Sequence, residues 1–227
     1  MNRYSLITQK MPREFVLLQG TGCNWGQCTF CDYHKDISSI PYKINEEVLL
    51  KVTGEYGVLD IINSGSCLEL DKDTVHLIYE VAKKKEIEVL WFEAHWMYRN
   101  QLREFADNFS GITVKFRTGV ETFDADLRTA LRKGIPEDVA VKEIAKYFQG
   151  LCLLVGLDGQ TESSISNDIE MALDNFEYFS VNIFVENTTS VKRNEGIIKW
   201  FIDEWEDRLS GNNKVEILIS NTDLGVG

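Results

Sequence analysis

The sequence predicts an α/β fold: an incomplete (β/α)6 barrel of the TIM type, with parallel strands and one extra strand at the C-terminus. Three observations predict it. Short apolar runs of strand length alternate with helical periodicity along the chain, the pattern of repeated βα units. Polar residues gather at the carboxyl end of each apolar run, where parallel α/β folds place their reactive face. Only three prolines, and no Gly/Ser-rich or low-complexity stretch, interrupt the 227 residues, so a single domain over 1–227 is expected.

Met1 to Pro12 is polar and lacks an apolar signal core. The first strand, 14–20, runs into a loop at 20–34 that holds three of the five cysteines. A helix near 45–54 leads to strand 57–63, which ends at Asn63-Ser64-Gly65-Ser66. Asp71 and Asp73 suit the first turn of a helix at 71–84, before strand 86–93 and its end, Glu93-Ala94-His95. A helix at 97–108 precedes strand 112–119, which reaches Gly119-Val120-Glu121. Two helices follow, at 123–132 and 136–147, with Pro136 suited to the first turn of the second. Strand 150–156 opens into a turn from Gly156 through Leu157 to Glu162, and helix 162–175 follows. Strand 178–185 carries Asn182 and leads to Glu186-Asn187; after a helix at 193–209, strand 214–220 ends at Asn221-Thr222-Asp223.

Composition narrows the function. A formal net charge of −12 repels phosphate backbones, and the longest basic run, Lys83-Lys84-Lys85, reads as a solvated helix end, so no nucleic-acid partner is expected. No 18-residue apolar run occurs, which predicts a cytoplasmic protein without membrane contact. Five cysteines, three of them bunched, oppose a disulfide framework and favour metal ligation in a reducing compartment. Cys152 reads as a small buried hydrophobe, and Cys67 fits either packing or the site.

The bunched cysteines, Cys23, Cys28 and Cys31, have the spacing C-x4-C-x2-C. Three thiolates from one loop can hold three corners of a 4Fe-4S cluster and leave the fourth iron open to a small molecule. The competing reading is a zinc site completed by His34. A zinc knuckle organises small, loop-rich units; here the loop follows the first strand of a larger α/β domain, which favours the cluster.

With these motifs in order, the chain resembles the radical S-adenosylmethionine (SAM) superfamily over nearly its whole length. Phe30, before the last cysteine, resembles the aromatic position that lies against the SAM adenine. Ser64-Gly65-Ser66, with Asn63, resembles the Gly-rich stretch that receives the SAM amino group. Gly119-Val120-Glu121 and Lys133-Gly134 resemble the strand-four signature and the basic residue for the SAM carboxylate. The turn at Gly156-Leu157-Asp158-Gly159 resembles the one beside the adenine. The resemblance implies a 4Fe-4S cluster, SAM, a 5′-deoxyadenosyl radical and an electron donor such as flavodoxin or ferredoxin. The commonest family spacing is C-x3-C-x2-C; Gly22 and Gly26 have the freedom to absorb the extra residue. Position 121 is glutamate where related members often carry glutamine. The run Gly22 to His34 and the single-domain length resemble the queuine lyase subgroup, which implies release of the deazaguanine base preQ1 from queuine. Other radical SAM chemistry (nucleoside or tRNA modification, or glycyl-radical activation) and a non-catalytic zinc-stabilised module are the alternatives.

Each remaining residue carries a structural reading too. Asn63 to Ser66 can be a plain turn, and Lys133-Gly134 a helix end. Glu93 and Glu121 end apolar strands, where an unpaired carboxylate is costly, so each needs a ligand or a base such as Arg117 or Lys133. His95 is either a substrate donor or a hydrogen-bonded structural histidine, and His76 reads as structural. Trp25, Tyr33 and Tyr42 shield the loop or stack on a planar base. For a deazaguanine substrate, Glu186, Asp223 and Glu121 are the candidate carboxylates, Arg117, His95 and Tyr33 are further substrate-contact candidates, and Asn182, Asn187 and Asn221 suit a diol or carbonyl.

Overall fold

The computed structural model describes residues 1–227. Eight strands form one sheet whose order follows the sequence: β1 (Tyr4–Ile7), β2 (Arg13–Leu18), β3 (Val58–Asn63), β4 (Val89–Glu93), β5 (Thr113–Glu121), β6 (Gly150–Val155), β7 (Tyr178–Ile183) and β8 (Val215–Leu218). The pairings β2–β3, β3–β4, β4–β5, β6–β7 and β7–β8 are parallel. Parallel strands in sequential order, with helices between them, have the topology of a (β/α) barrel left open. All seven expected strands are present.

The helices are α1 (Pro41–Leu49), α2 (Lys72–Lys84), α3 (Leu102–Ala106), α4 (Ala125–Ala130), α5 (Val141–Ala145), α6 (Glu162–Asn175), α7 (Glu195–Phe201) and α8 (Asp207–Ser210). Four expectations need correction. β1, antiparallel to β2, lies in the segment read as plain polar chain. α1 starts earlier than expected because Pro41 supplies its first turn. The helix expected at 136–147 shrinks to α5, and Pro136 heads a turn in which its carbonyl accepts Val139 N–H at 3.2 Å. The expected 97–108 helix is a 3-10 stretch, Trp96–Gln101, followed by the short α3. No helix is long and apolar enough to cross a membrane.

The chain divides into two compact units. The first comprises Met1–Gly26, Tyr33–Arg117 and Thr222–Gly227. Its core holds Phe15, Leu18, Leu59, Ile61 and Phe92, with Phe105 and Phe109 each 5.2 Å from Phe92 by ring centroid. A buried ionic triad lies among its strands. Asp60 on β3 accepts from Arg13 Nε at 2.8 Å and from both terminal nitrogens of Arg117 at 2.8 and 2.7 Å. Burial alone would raise the Asp60 carboxyl, but Arg117 and Arg13 hold it below its ordinary range. The second unit comprises Gln27–Asp32 and Thr118–Asn221, with a core of Leu151, Leu153, Ile165, Ile169, Phe179 and Val181.

Candidate active site

In the first unit, the Cys23 end of the cysteine loop lies against the turn after β3. A methyl placed on Gly65 would stand 2.8 Å from the Gly22 carbonyl oxygen and 3.3 Å from Cys23 Cα, so only glycine permits this approach. Gly22 (φ 140°), just before Cys23, and Gly26 (φ 54°), within the Cys23–Cys28 spacer, both have positive φ, and Gly26 N–H points at Cys23 Sγ, 3.4 Å away. Ser64 Oγ accepts Gly20 N–H at 3.1 Å, and Ser66 Oγ accepts His95 N–H at 3.0 Å. Asn63 donates to the Ser66 carbonyl, while its buried Oδ1 has no donor. The His95 ring stacks on Trp25 at 4.9 Å, and its Nδ1 accepts Met97 N–H at 3.2 Å. Glu93 sits 3.6 Å from Arg117 Nε, so the partner expected for it is found.

The second unit holds the other arm of the loop. The Phe30 ring packs on a buried cluster of Leu131, Leu154, Leu157 and Phe184. Lys133 Nζ lies 5.7 Å from the centre of that ring and 2.8 Å from Glu121 Oε1. Glu121 is a non-glycine residue at φ 68°, a strained conformation of the kind that clusters at functional sites. Gly119 lies under this ion pair with no room for a side chain. Gly156 turns the chain at the end of β6, and Gln160 Oε1 accepts the Gly156 and Leu157 N–H groups at 2.8 and 2.9 Å. After β7, Asn187 Nδ2 donates to the Phe30 carbonyl at 2.7 Å, and Thr188 donates its N–H and its hydroxyl to Asp32. Asn182 Oδ1 is buried without a donor.

Other candidates lie elsewhere or are differently engaged. Arg117, expected toward substrate, is 4% exposed and clasps Asp60, so it serves the framework. Asn187 spends its amide on Phe30 and Thr189. Glu186 is exposed and accepts Arg193 N–H within its own loop at 3.3 Å. Tyr33 is 62% exposed on a single 3-10 turn. Asp223 is exposed in the terminal segment, where Gly227 and Asn2 pair through their backbones. Cys67 is fully buried, and burial drives its thiol well above the ordinary range, so it packs. Cys152 is only partly buried.

Sequence reasoning missed Glu69 and Tyr98. Glu69 Oε2 accepts Ser66 N–H at 2.8 Å, while Oε1 accepts Asn24 N–H at 3.0 Å and the Tyr98 hydroxyl at 2.9 Å. The Ser66-x-x-Glu69 spacing of a capping box was the signal available.

By chemistry the thiols suit a soft metal cluster and the turn after β3 an amino-acid ligand, while no three His, Cys, Asp or Glu side chains are gathered closely enough to hold a single metal ion. Cys23, Cys28 and Cys31 are in no disulfide and each is partly exposed, and soft thiolates suit iron–sulfur clusters. The unpartnered Asn63 Oδ1 is an acceptor suited to an ammonium donor.

Comparison with known proteins places the chain. The Radical SAM superfamily model matches residues 18–172. The chain belongs to the radical SAM superfamily. It is 42% identical to a queuine lyase from Clostridium spiroforme bound to SAM and queuine, covering 100% of this chain and 99% of that one with a TM-score of 0.96. Streptococcus suis SuiB bound to S-adenosylmethionine shares the fold at 16% identity, with a TM-score of 0.58 over 92% of this chain and 47% of that one. No curated protein sequence matches the chain. The α/β incomplete-barrel class and the enzyme class expected from the sequence stand, and membership sets aside the zinc-stabilised module.

Proposed function

We propose that this chain is a queuine lyase, releasing preQ1 from queuine with a 4Fe-4S cluster and SAM. The observation that carries the proposal is the full-length, 42% identical relative, a queuine lyase. When bound, the cluster and SAM supply one-electron cleavage chemistry that ends in abstraction of a hydrogen atom from the substrate's cyclopentenediol; the protein binds, orients and excludes water.

Cys23, Cys28 and Cys31 hold the cluster. Asn63 Oδ1 and the turn to Ser66 receive the SAM amino group, and Lys133, set by Glu121, meets its carboxylate. Phe30 and Leu157 form an apolar wall for the adenine. For the base, half-buried Asn182 offers a side-chain carbonyl oxygen that is buried and lacks a donor. His95, Glu186, Tyr33 and Asp223 are further polar candidates from strand ends and adjoining turns. Glu93, leaning on Arg117, retains 38% side-chain exposure and is a further candidate for the cofactor. An acidic chain suits a free base better than tRNA, and flavodoxin or ferredoxin is the proposed electron donor in the cytoplasm.

Anaerobically purified protein is expected to contain iron and acid-labile sulfide. With SAM, dithionite and queuine it should give preQ1 and 5′-deoxyadenosine, and Cys31→Ala neither. Deoxyadenosine without base turnover would overturn the substrate while leaving the family intact.

A further inference from the structure

We infer that Glu69 is a positioning residue for the N-terminal arm of the cysteine loop, acting through Asn24 in a closed hydrogen-bonded ring with Tyr98. The inference rests on Cys23 being a cluster ligand. As a plain capping residue, Glu69 would need only one oxygen, Oε2, on Ser66 N–H. Its second oxygen instead reaches 45 residues back along the sequence to the N–H of Asn24, beside Cys23. The Tyr98 hydroxyl closes the ring: it donates to that oxygen at 2.9 Å and accepts from Asn24 Nδ2 at 2.8 Å. Tyr98 is 8% exposed, whereas the Asn24–Glu69 bond faces solvent; burial, with the adjoining Glu69, raises the Tyr98 phenol above its ordinary range. A methyl on Gly65 would fall 2.0 Å from Glu69 Oε2, so the space for this carboxylate depends on Gly65.

The loop segment from Cys23 to Gly26 has no strand or helix ladder to hold it. A charge-assisted bond at Asn24 joins the Trp25–His95 stack and the Gly26 N–H contact with Cys23 Sγ in ordering it. Glu69 touches neither substrate nor cofactor in this assignment; it acts through the backbone beside a ligand.

The test uses the metal-free, reduced full chain under anaerobic conditions. A thiol-alkylating reagent is applied for a short time, and peptide mass spectrometry measures modification of Cys23, Cys28 and Cys31 separately. In Glu69→Ala, labelling of Cys23 relative to Cys28 and Cys31 should rise about tenfold, the weight of one hydrogen bond to a charged group. Tyr98→Phe removes the bridging hydroxyl and leaves the Ser66 cap in place; a smaller rise, again confined to Cys23, is expected. An unchanged ratio in both variants, or an equal rise at all three thiols, overturns the inference and reduces Glu69 to a cap. If Glu69→Ala does not fold, Tyr98→Phe alone decides. Iron and sulfide in wild-type protein report separately on the cluster reading.

Discussion

Replacing Gly119 with alanine tests whether the Glu121–Lys133 pair serves the cofactor. The new methyl would stand 2.4 Å from Glu121 Oε1 and 2.9 Å from Lys133 Nζ, where ordinary contact begins at 3.4 Å. The carboxylate oxygen must therefore retreat by about 1 Å and the ammonium by about half that, on ordinary van der Waals grounds. Both groups end flexible side chains, so the backbone of β5 can remain in place while the 2.8 Å pair opens. The two side chains are only 12% and 8% exposed, so the loss falls in the range of a charge-assisted bond, about 1.5–3 kcal/mol. If Lys133 meets the SAM carboxylate, the same displacement weakens SAM binding by about 10- to 100-fold. Anaerobic calorimetry of SAM binding to the cluster-loaded variant measures the second effect, and urea unfolding of the metal-free protein measures the first. Wild-type SAM affinity alongside lowered stability would refute the reasoning, because the pair would then be structural only.

Two further predictions concern the scaffold. Asp60→Asn should lower stability by about 3–5 kcal/mol in urea unfolding, since it leaves two buried arginines facing each other without their counter-charge; a loss below about 1 kcal/mol would contradict the triad's role. Asp168, which accepts Phe123 N–H at 2.7 Å, is pushed up to about 6 by burial. A carboxyl raised on folding contributes stability that is full below the ordinary carboxyl range and lost as pH rises through about 6. Unfolding free energy should thus gain a downward component of up to about 3 kcal/mol between roughly pH 4 and 6. Asp168→Asn should remove that component, and an unchanged pH profile in the variant would count against it.

What the sequence made legible was whatever depends on near neighbours. α6 runs over the expected residues because Thr161 and Ser164 cap it reciprocally, a spacing visible in the chain. The strands were legible as near-continuous apolar runs, the pattern of strands buried on both faces. β1 was not, because Tyr4–Ile7 is short and mostly half-buried, and its order comes from pairing with β2. One of its supports is Glu14, fully buried, which accepts the Tyr4 hydroxyl at 2.7 Å together with Thr53 and Gly54 N–H. Arg117 looked like a ligand-binding base because Asp60, 57 residues away, carries no sequence mark of being its partner. The cysteines were plain from spacing alone, whereas the contacts that hold their loop are long-range.

Those contacts bear on how the loop accommodates its extra residue. In the first unit, Gly26 folds back on Cys23 with an N–H···S contact of 3.4 Å, and Asn24 is tied to Glu69. In the second, Cys31 lies between Phe30 and Asp32, which Asn187 and Thr188 hold from more than 150 residues away. Each terminal cysteine therefore adjoins a residue fixed by a side chain remote in sequence. A loop ordered in this way has less conformational entropy left to lose when it takes up iron and sulfide. The longer spacer adds one residue of freedom, and left-handed glycine turns with a carboxylate anchor at Asn24 are a means of removing it. On this argument the C-x4-C spacing and Glu69 work together: the carboxylate fixes the first residue of the spacer, and Gly26 turns the chain back toward Cys23.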